Sequence, residues 1–370
     1  MKIEIFKLER MQSTWENEVE YNLAESGVHP LSLRDFLGKK ELESILGLGL
    51  GYSQTNGTPG LRKNIAAFYP GIAADQIQAT AGSTEANFLL MWSLIERGDE
   101  VVFEVPNYMQ MWGLLRGFGA KVKTFRLREE RNWAPDLDEL ARAVTKATKL
   151  IILTNPNNPT GAVLDEDEME EIVRIARKAD AWILADEVYQ GAERVGPRTP
   201  SFWGRYKKVI CVNGMSKAYG LAGLRLGWIA APLKLIQSVW PHHDYTTICP
   251  SVLSDKLAEI ALSPAHREKI LRRTRAVLNA NYPILETWLK KHRGVFRFTP
   301  PRAGAIAFVR YGLPIPSTRL CERFIREQSV FLVPGDLFEM DRFLRIGFGA
   351  EGQKLRIALA RVEKTLRKIV

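Results

Sequence analysis

The chain has 370 residues, 46% hydrophobic and 25% charged, the balance of a globular protein long enough for one large core and a smaller one. Three scattered cysteines, Cys211, Cys249 and Cys321, with no CxxC spacing, argue against a disulfide framework and a zinc site, so no metal is expected. The formal net charge of +10 is spread along stretches such as Arg267 to Arg275 and Lys364 to Lys368 with no recognisable nucleic-acid module, so solvated helix faces are expected and nucleic acid is not.

The chain opens with charges of both signs where a secretory signal would carry an apolar run, and no stretch approaches a membrane span; a cytoplasmic protein with no membrane partner is expected. Tyr21 to Gly38 has turn formers at Ser26-Gly27 and His29-Pro30 and reads as an irregular arm. A Gly- and Pro-containing loop carrying Tyr52 leads to a helix near Leu61. Gln76 to Glu96 reads as a strand, a turn at Gly82-Ser83-Thr84 and a helix, whose free N–H groups make the turn a reasonable phosphate seat.

Strands are expected at Glu100 to Val105, Lys121 to Leu127, Leu150 to Thr154, Trp182 to Ala185 and Val209 to Val212. Between them fall helices ending near Phe118 and spanning Asp136 to Val144 and Asp165 to Lys178, the last with an acidic first turn and a basic last turn. This alternation implies a largely parallel sheet covered on both faces, with ligands beyond the carboxyl ends of the strands. Asn158, Asp186, Tyr189 and Lys217 all follow strand ends and are expected in one crevice.

Lys217 lies in KVICVNGMSKAYGLAGLRLGW, Lys208 to Trp228, behind an apolar strand and among glycines that admit close backbone approach. An amine attacks an aldehyde only when unprotonated, so such a lysine should have its pKa lowered by burial or by a neighbour such as Arg225. Arg225 would also suit a phosphate. Beyond Trp228 the order changes. Helices at Leu233 to Trp240, Ser254 to Leu262 and Ala265 to about His292 precede strands at Val295 to Thr299, Ala305 to Arg310, Val330 to Val333 and Phe343 to Phe348. Helices near Thr318 to Gln328 and after Gly352 complete an α+β module. His242 and His243 read as loop or surface residues, and Arg34 and Arg302 as possible side-chain readers.

Taken together, NPNNPTG (Asn155 to Gly161), DEVYQG (from Asp186) and the Lys217 segment resemble, in order and spacing, the class I/II aminotransferases, pyridoxal phosphate (PLP) enzymes of fold type I. The resemblance implies a three-layer αβα large domain with a mostly parallel sheet over residues 40–262, and an arm plus small α+β domain over 1–39 and 263–370. It makes Lys217 the lysine that bonds to PLP, Asp186 the partner of the pyridine nitrogen, and Asn158 and Tyr189 donors to the phenolate oxygen. Tyr108 becomes the stacking aromatic, and Gly82, Ser83, Thr84, Ser216 and Arg225 the phosphate cup.

It further implies that Tyr52 joins that cup from the other subunit of a homodimer. Arg345 would clamp the substrate's α-carboxylate, with Asn158 and Gly27 beside it. Gly214 departs from the serine that many relatives carry three residues before the lysine; Asn213 is a candidate substitute. The implied activity is ping-pong transfer of an amino group from an L-amino acid to a 2-oxo acid. The alternative is a lyase, cyclase or decarboxylase on the same cofactor, as in the capreomycidine-synthase-like relatives. A DNA-binding regulator with the same fold would need a helix-turn-helix domain, for which the chain leaves no room ahead of the pattern.

Overall fold

The computed structural model describes residues 2–369. An arm comes first: helix α1 (Lys7–Trp15), strand β1 (Tyr21–Asn22) and a one-turn helix α2 (Leu33–Phe36). The sequence reading predicts an irregular arm over Tyr21 to Gly38 and no element ahead of it. Instead β1 pairs in parallel with Val330 and Phe331 near the other end of the chain. Helix α1 has nine residues and no side-chain cap at Phe6, so its local signal is weak and packing must hold it.

Helices α3 (Lys39–Leu46) and α4 (Pro59–Ala66) lead into the large sheet. Its strands are β2 (Ile77–Thr80), β3 (Glu100–Val105), β4 (Lys121–Arg128), β5 (Ala134–Pro135), β6 (Thr148–Thr154), β7 (Trp182–Asp186), β8 (Val209–Gly214) and β9 (Gly227–Ala230). Helices α5 (Ser83–Leu94), α6 (Gln110–Phe118), α7 (Leu137–Ala143) and α8 (Glu166–Ala179) connect them, and α9 (Leu233–His243) and α10 (Val252–Ala261) follow. Helix α8 bears out the charge reading at its start with a capping box: Asp165 accepts from the Glu168 N–H and Glu168 from the Asp165 N–H, both at 2.8 Å.

The sheet order is β2-β9-β8-β7-β6-β3-β4-β5, with β9 antiparallel to both neighbours and β3, β4, β6, β7 and β8 parallel. Strands β6 to β8 are buried on both faces, which is why they read as unbroken apolar runs. Thr154 pairs with Asp186 and Asp186 with Val212, so the loops after these three strands leave from one edge.

The remaining chain forms α11 (Pro264–Lys291), β10 (Phe296–Phe298), β11 (Ile306–Tyr311), α12 (Ser317–Gln328), β12 (Val330–Phe331), β13 (Val333–Pro334), β14 (Phe343–Gly347) and α13 (Gly352–Leu366). Strands β10-β11-β14-β13 make a smaller antiparallel sheet. The expected single strand from Val330 is split: β12 pairs with the arm and β13 with β14. Among the described residues no helix is long and apolar enough to cross a membrane.

The arm is threaded between the two sheets. Gly347 donates to the Leu23 carbonyl at 2.7 Å and His29 donates to the Gly349 carbonyl at 2.8 Å. A Cβ on Gly347 would run into the Glu25 carbonyl oxygen and one on Gly349 into that of Gly27. Only bare backbone lets the arm pass so closely, and the passage suspends Glu25 above Lys217.

Candidate active site

A cavity of about 480 Å³ opens where the carboxyl edge of the large sheet, the arm and β14 meet. Its floor is made by the strand ends. Asp186 closes β7, 4% exposed, and accepts the Val188 N–H at 3.1 Å. Burial pushes its carboxyl up to about 6, against the pull of that hydrogen bond and of Lys217. Tyr189 is buried and its hydroxyl has no hydrogen-bond partner. Asn158 accepts from Arg345 Nη1 at 2.9 Å.

The Asn158 loop is held from beneath by Glu104, at the end of β3. One carboxylate oxygen accepts the Thr154 N–H at 3.0 Å, Asn157 Nδ2 at 2.9 Å and Asn107 Nδ2 at 3.1 Å. Full burial raises this carboxyl to about 8 despite those donors.

Lys217 lies across the floor with Nζ 3.1 Å from Glu25 Oε1. The sequence reading expects a lowered pKa here, and that expectation fails. Burial is the largest single influence and pulls the ammonium down, but the Glu25 charge, Tyr189 and the Glu25 hydrogen bond together exceed it, and the net shift is upward. The same charge pair, chiefly Lys217 acting on Glu25, lowers Glu25 to about 2. The main cause of the rise is a carboxylate from the arm, nearly two hundred residues away in sequence, that no local pattern reveals.

At one end of the cavity, Ser83 and Thr84 form the first turn of α5, capped by Gly82 at φ +86°. A Cβ on Gly82 would lie 2.6 Å from Arg225 Nη2, so the glycine makes room for the guanidinium as well as the turn. Arg225 Nη1 points to Ser216 Oγ at 3.4 Å and donates to the Ala222 carbonyl at 3.2 Å. Asn213 is buried with its amide oxygen taken by the Gly214 N–H at 2.7 Å and does not line the cavity, so it is no substitute cup residue. A side chain at Gly214 would press on the Leu226 carbonyl at 3.1 Å.

Arg345, which looks like an exposed strand arginine by residue type alone, is 1% exposed. Its Nη2 donates to the Ala24 carbonyl at 2.6 Å, and its Nε has no partner. Tyr108 donates to Glu9 Oε1 at 2.7 Å and packs edge-on against Phe6 at 5.0 Å. Burial, then the Glu9 charge, raises its phenol.

Two expected residues stand apart from the cavity in this chain. Tyr52 is 87% exposed and borders a surface hollow with Thr247 and Pro250. Gly27 lies just behind the lining: a Cβ there would meet the Ser216 carbonyl at 3.1 Å and Lys217 Cα at 3.6 Å, and its N–H goes to Glu25 Oε1 at 2.8 Å. The histidines belong to the end of α9, not a loop; His243 is fully buried between Gln78, Thr247 and Glu85. Arg302 is spent on the Val163 carbonyl, and neither it nor Arg34 lines the cavity.

The structure adds residues the sequence reading misses. Glu9, Gln12 and Glu16 of α1, with Glu25 and Ser26 of the arm, form the wall opposite the floor. The spacing 9, 12, 16 was the available signal, offset by one residue from the apolar stripe Leu8, Met11, Trp15 that packs beside Phe331, Phe338 and Phe343.

This architecture is that of the fold type I PLP-dependent enzymes, and the chain matches the family "Aminotransferase class I and II" over residues 37–362. It belongs to that family, and its cofactor is PLP. It is 30% identical to capreomycidine synthase from Streptomyces vinaceus over 94% of this chain and 90% of that protein. An aspartate aminotransferase from Pyrococcus horikoshii is 29% identical over 85% and 83%. Among solved structures, a PLP-dependent aminotransferase from Streptococcus suis superposes with a TM-score of 0.94 at 34% identity, covering 100% of this chain and 99% of that one. The PLP-dependent cyclase OrfR gives 0.91 at 27%, with the same coverage.

Proposed function

We propose that this enzyme transfers the amino group of an L-amino acid to a 2-oxo acid by a ping-pong route. The observation that carries this reading is the gathering in one cavity of Lys217, buried Asp186, the unpartnered hydroxyl of Tyr189 and the buried guanidinium of Arg345. The residues fit the cofactor: Tyr189 offers a free donor, and the bare Gly82 lets the Arg225 guanidinium lie against the α5 N-terminus, bringing a cation and free N–H groups together for a phosphate. Ser83, Thr84, Ser216 and Arg225 would hold its phosphate, Asp186 its pyridine nitrogen, Asn158 and Tyr189 its phenolate oxygen, and Tyr108 its ring face. When bound, PLP supplies an electron sink for negative charge developing at the substrate's α-carbon.

Lys217 would anchor the cofactor, and its Nζ, when neutral, would accept the proton from the substrate's α-carbon. Asp186 would hold the ring nitrogen, and its negative charge would favour a proton there. Arg345, with two donors on Asn158 and Ala24 and Nε free, binds the α-carboxylate, and Gly27 lets the arm lie close to that group. Tyr52, exposed and remote from its own cavity, would complete the partner subunit's phosphate cup in a homodimer. The division into 40–262 and the remainder, and a cytoplasmic location, belong to the same reading.

A cyclase or lyase reading is favoured by one observation, the likeness to capreomycidine synthase and to OrfR over nearly the whole chain. Oxo acid formed in proportion to an added acceptor separates the two; a cyclised or eliminated product formed without acceptor would overturn transamination. In either case Lys217→Ala should lose turnover by about 10²–10⁴-fold or more, together with the cofactor's lysine-linked absorbance. Full activity in that variant would remove Lys217 from its role.

A further inference from the structure

The cavity is lined by four carboxylates, Glu9, Glu16, Glu25 and Asp186, and three cations, Lys217, Arg225 and Arg345. On the reading above, each cation has a ligand of its own. Phosphate would take Arg225, the α-carboxylate Arg345, and the cofactor Lys217, while Asp186 would face the ring nitrogen. Glu9, Glu16 and Glu25 are left over. Of these three only Glu25 is ion-paired among the described residues, and its partner is Lys217.

These carboxylates sit where stability alone would not put them. Helix α1 fixes its apolar stripe Leu8, Met11 and Trp15 in a core, and the next stripe, Glu9, Gln12 and Glu16, turns to the cavity. Glu16 is the C-cap of that helix, at the negative end of its dipole, and no basic residue occupies its last turn. Burial first, then the charges of Glu25 and Glu9, push its carboxyl up. Two buried donors without partners among the described residues, the Tyr189 hydroxyl and Arg345 Nε, mark this cavity as one that takes a ligand, and on the reading above they go to the cofactor and the α-carboxylate.

We propose that the substrate is an amino acid whose side chain ends in a cation, an ammonium or guanidinium, received by Glu9, Gln12 and Glu16 of α1 together with Glu25. The inference rests on the reading that this cavity binds an amino acid beside PLP. An acidic side chain would meet three like charges, and a neutral one would leave them uncompensated in a half-buried site. A cation offers N–H donors to all three and offsets part of their charge, and it gives Glu25 a partner besides Lys217.

The test compares the holoenzyme on L-lysine and L-arginine with their neutral analogues L-norleucine and L-citrulline, and with L-glutamate, following loss of the amino acid whatever its product. Calorimetric titration with 2-methyl-lysine and 2-methyl-norleucine, which have no α-proton to lose, reads binding alone. The expected preference for the cation is about 10–100-fold in kcat/KM and in affinity. Glu16→Gln should cut the lysine-to-norleucine ratio about tenfold, and Glu16→Lys should cut it further. A preference for glutamate, or a ratio unmoved in both variants, overturns the proposal. Cation preference with no oxo acid formed overturns transamination alone; oxo acid formed without cation preference overturns this inference alone.

Discussion

The floor and the wall of the cavity are built by different means. The floor is a set of strand ends, Thr154, Asp186 and Gly214, placed by sheet register and followed by loops too rich in glycine, proline and asparagine to continue any element. The wall is one short helix and an extended arm, placed by packing on the small sheet, by backbone pairing with Phe331, Gly347 and Gly349 of the small domain, and by the bare backbone of those two glycines. A floor set by register can keep the same cofactor chemistry while the wall changes. The wall, tied to nothing in the large sheet's hydrogen bonding, is where one relative can differ from another in what it accepts.

The largest effect that would break this comparison is at the floor. Asp186→Asn should lower turnover by about 10²–10³-fold, because the amide cannot hold the ring nitrogen protonated. The same variant should stabilise the cofactor-free protein. Asp186 is raised from its ordinary 3.8 to about 6, so the folded state binds the proton more tightly and stability falls as pH rises between those values. The gap of about two pH units corresponds to about 3 kcal/mol at most, which asparagine would recover at pH 8. Urea midpoints for both cofactor-free proteins check the sign; an asparagine variant less stable at pH 8 would refute the assignment of a strained carboxylate.

A smaller effect is expected where wall meets floor. With Glu25→Gln the chief influence raising Lys217 disappears, leaving burial and Arg345 to lower it against the smaller upward pull of Tyr189. The neutral amine then becomes available at lower pH, and the pH profile for PLP uptake should move to the acid side, with uptake at pH 7 several-fold faster. An unmoved profile would mean that Glu25 does not control the lysine.

How much of this was legible in the sequence follows the same division. Lys217, Asp186, Asn158 and Tyr189 could be placed because an apolar run ending in turn formers announces both a strand and where its loop emerges. Helix α1 could not, since nine residues, mostly polar and uncapped, look like a solvated segment. Glu25 was hidden because its partner is fixed by threading and not by spacing, and the upward shift of Lys217 went unseen with it. Arg345 was placed by resemblance, but its burial was not foreseen: a strand arginine looks the same from the chain whether it faces water or a closed cavity.

The smallest effect lies beneath the floor. Glu104 is raised from an ordinary 4.5 to about 8, so between those values the unfolded chain releases a proton that the folded protein keeps, and stability declines as pH rises through that window. Glu104→Gln keeps an oxygen for the Thr154, Asn157 and Asn107 donors and cannot titrate. The difference between urea midpoints at pH 5 and pH 9 should therefore shrink, while turnover falls only a few-fold. Glu104→Leu instead abandons three buried N–H groups at about 1–3 kcal/mol each and should loosen the Asn158 loop, raising KM for the amino acid. If glutamine and leucine behave alike, the acceptor is not what holds the loop, and the floor owes its rigidity to the strand ends alone.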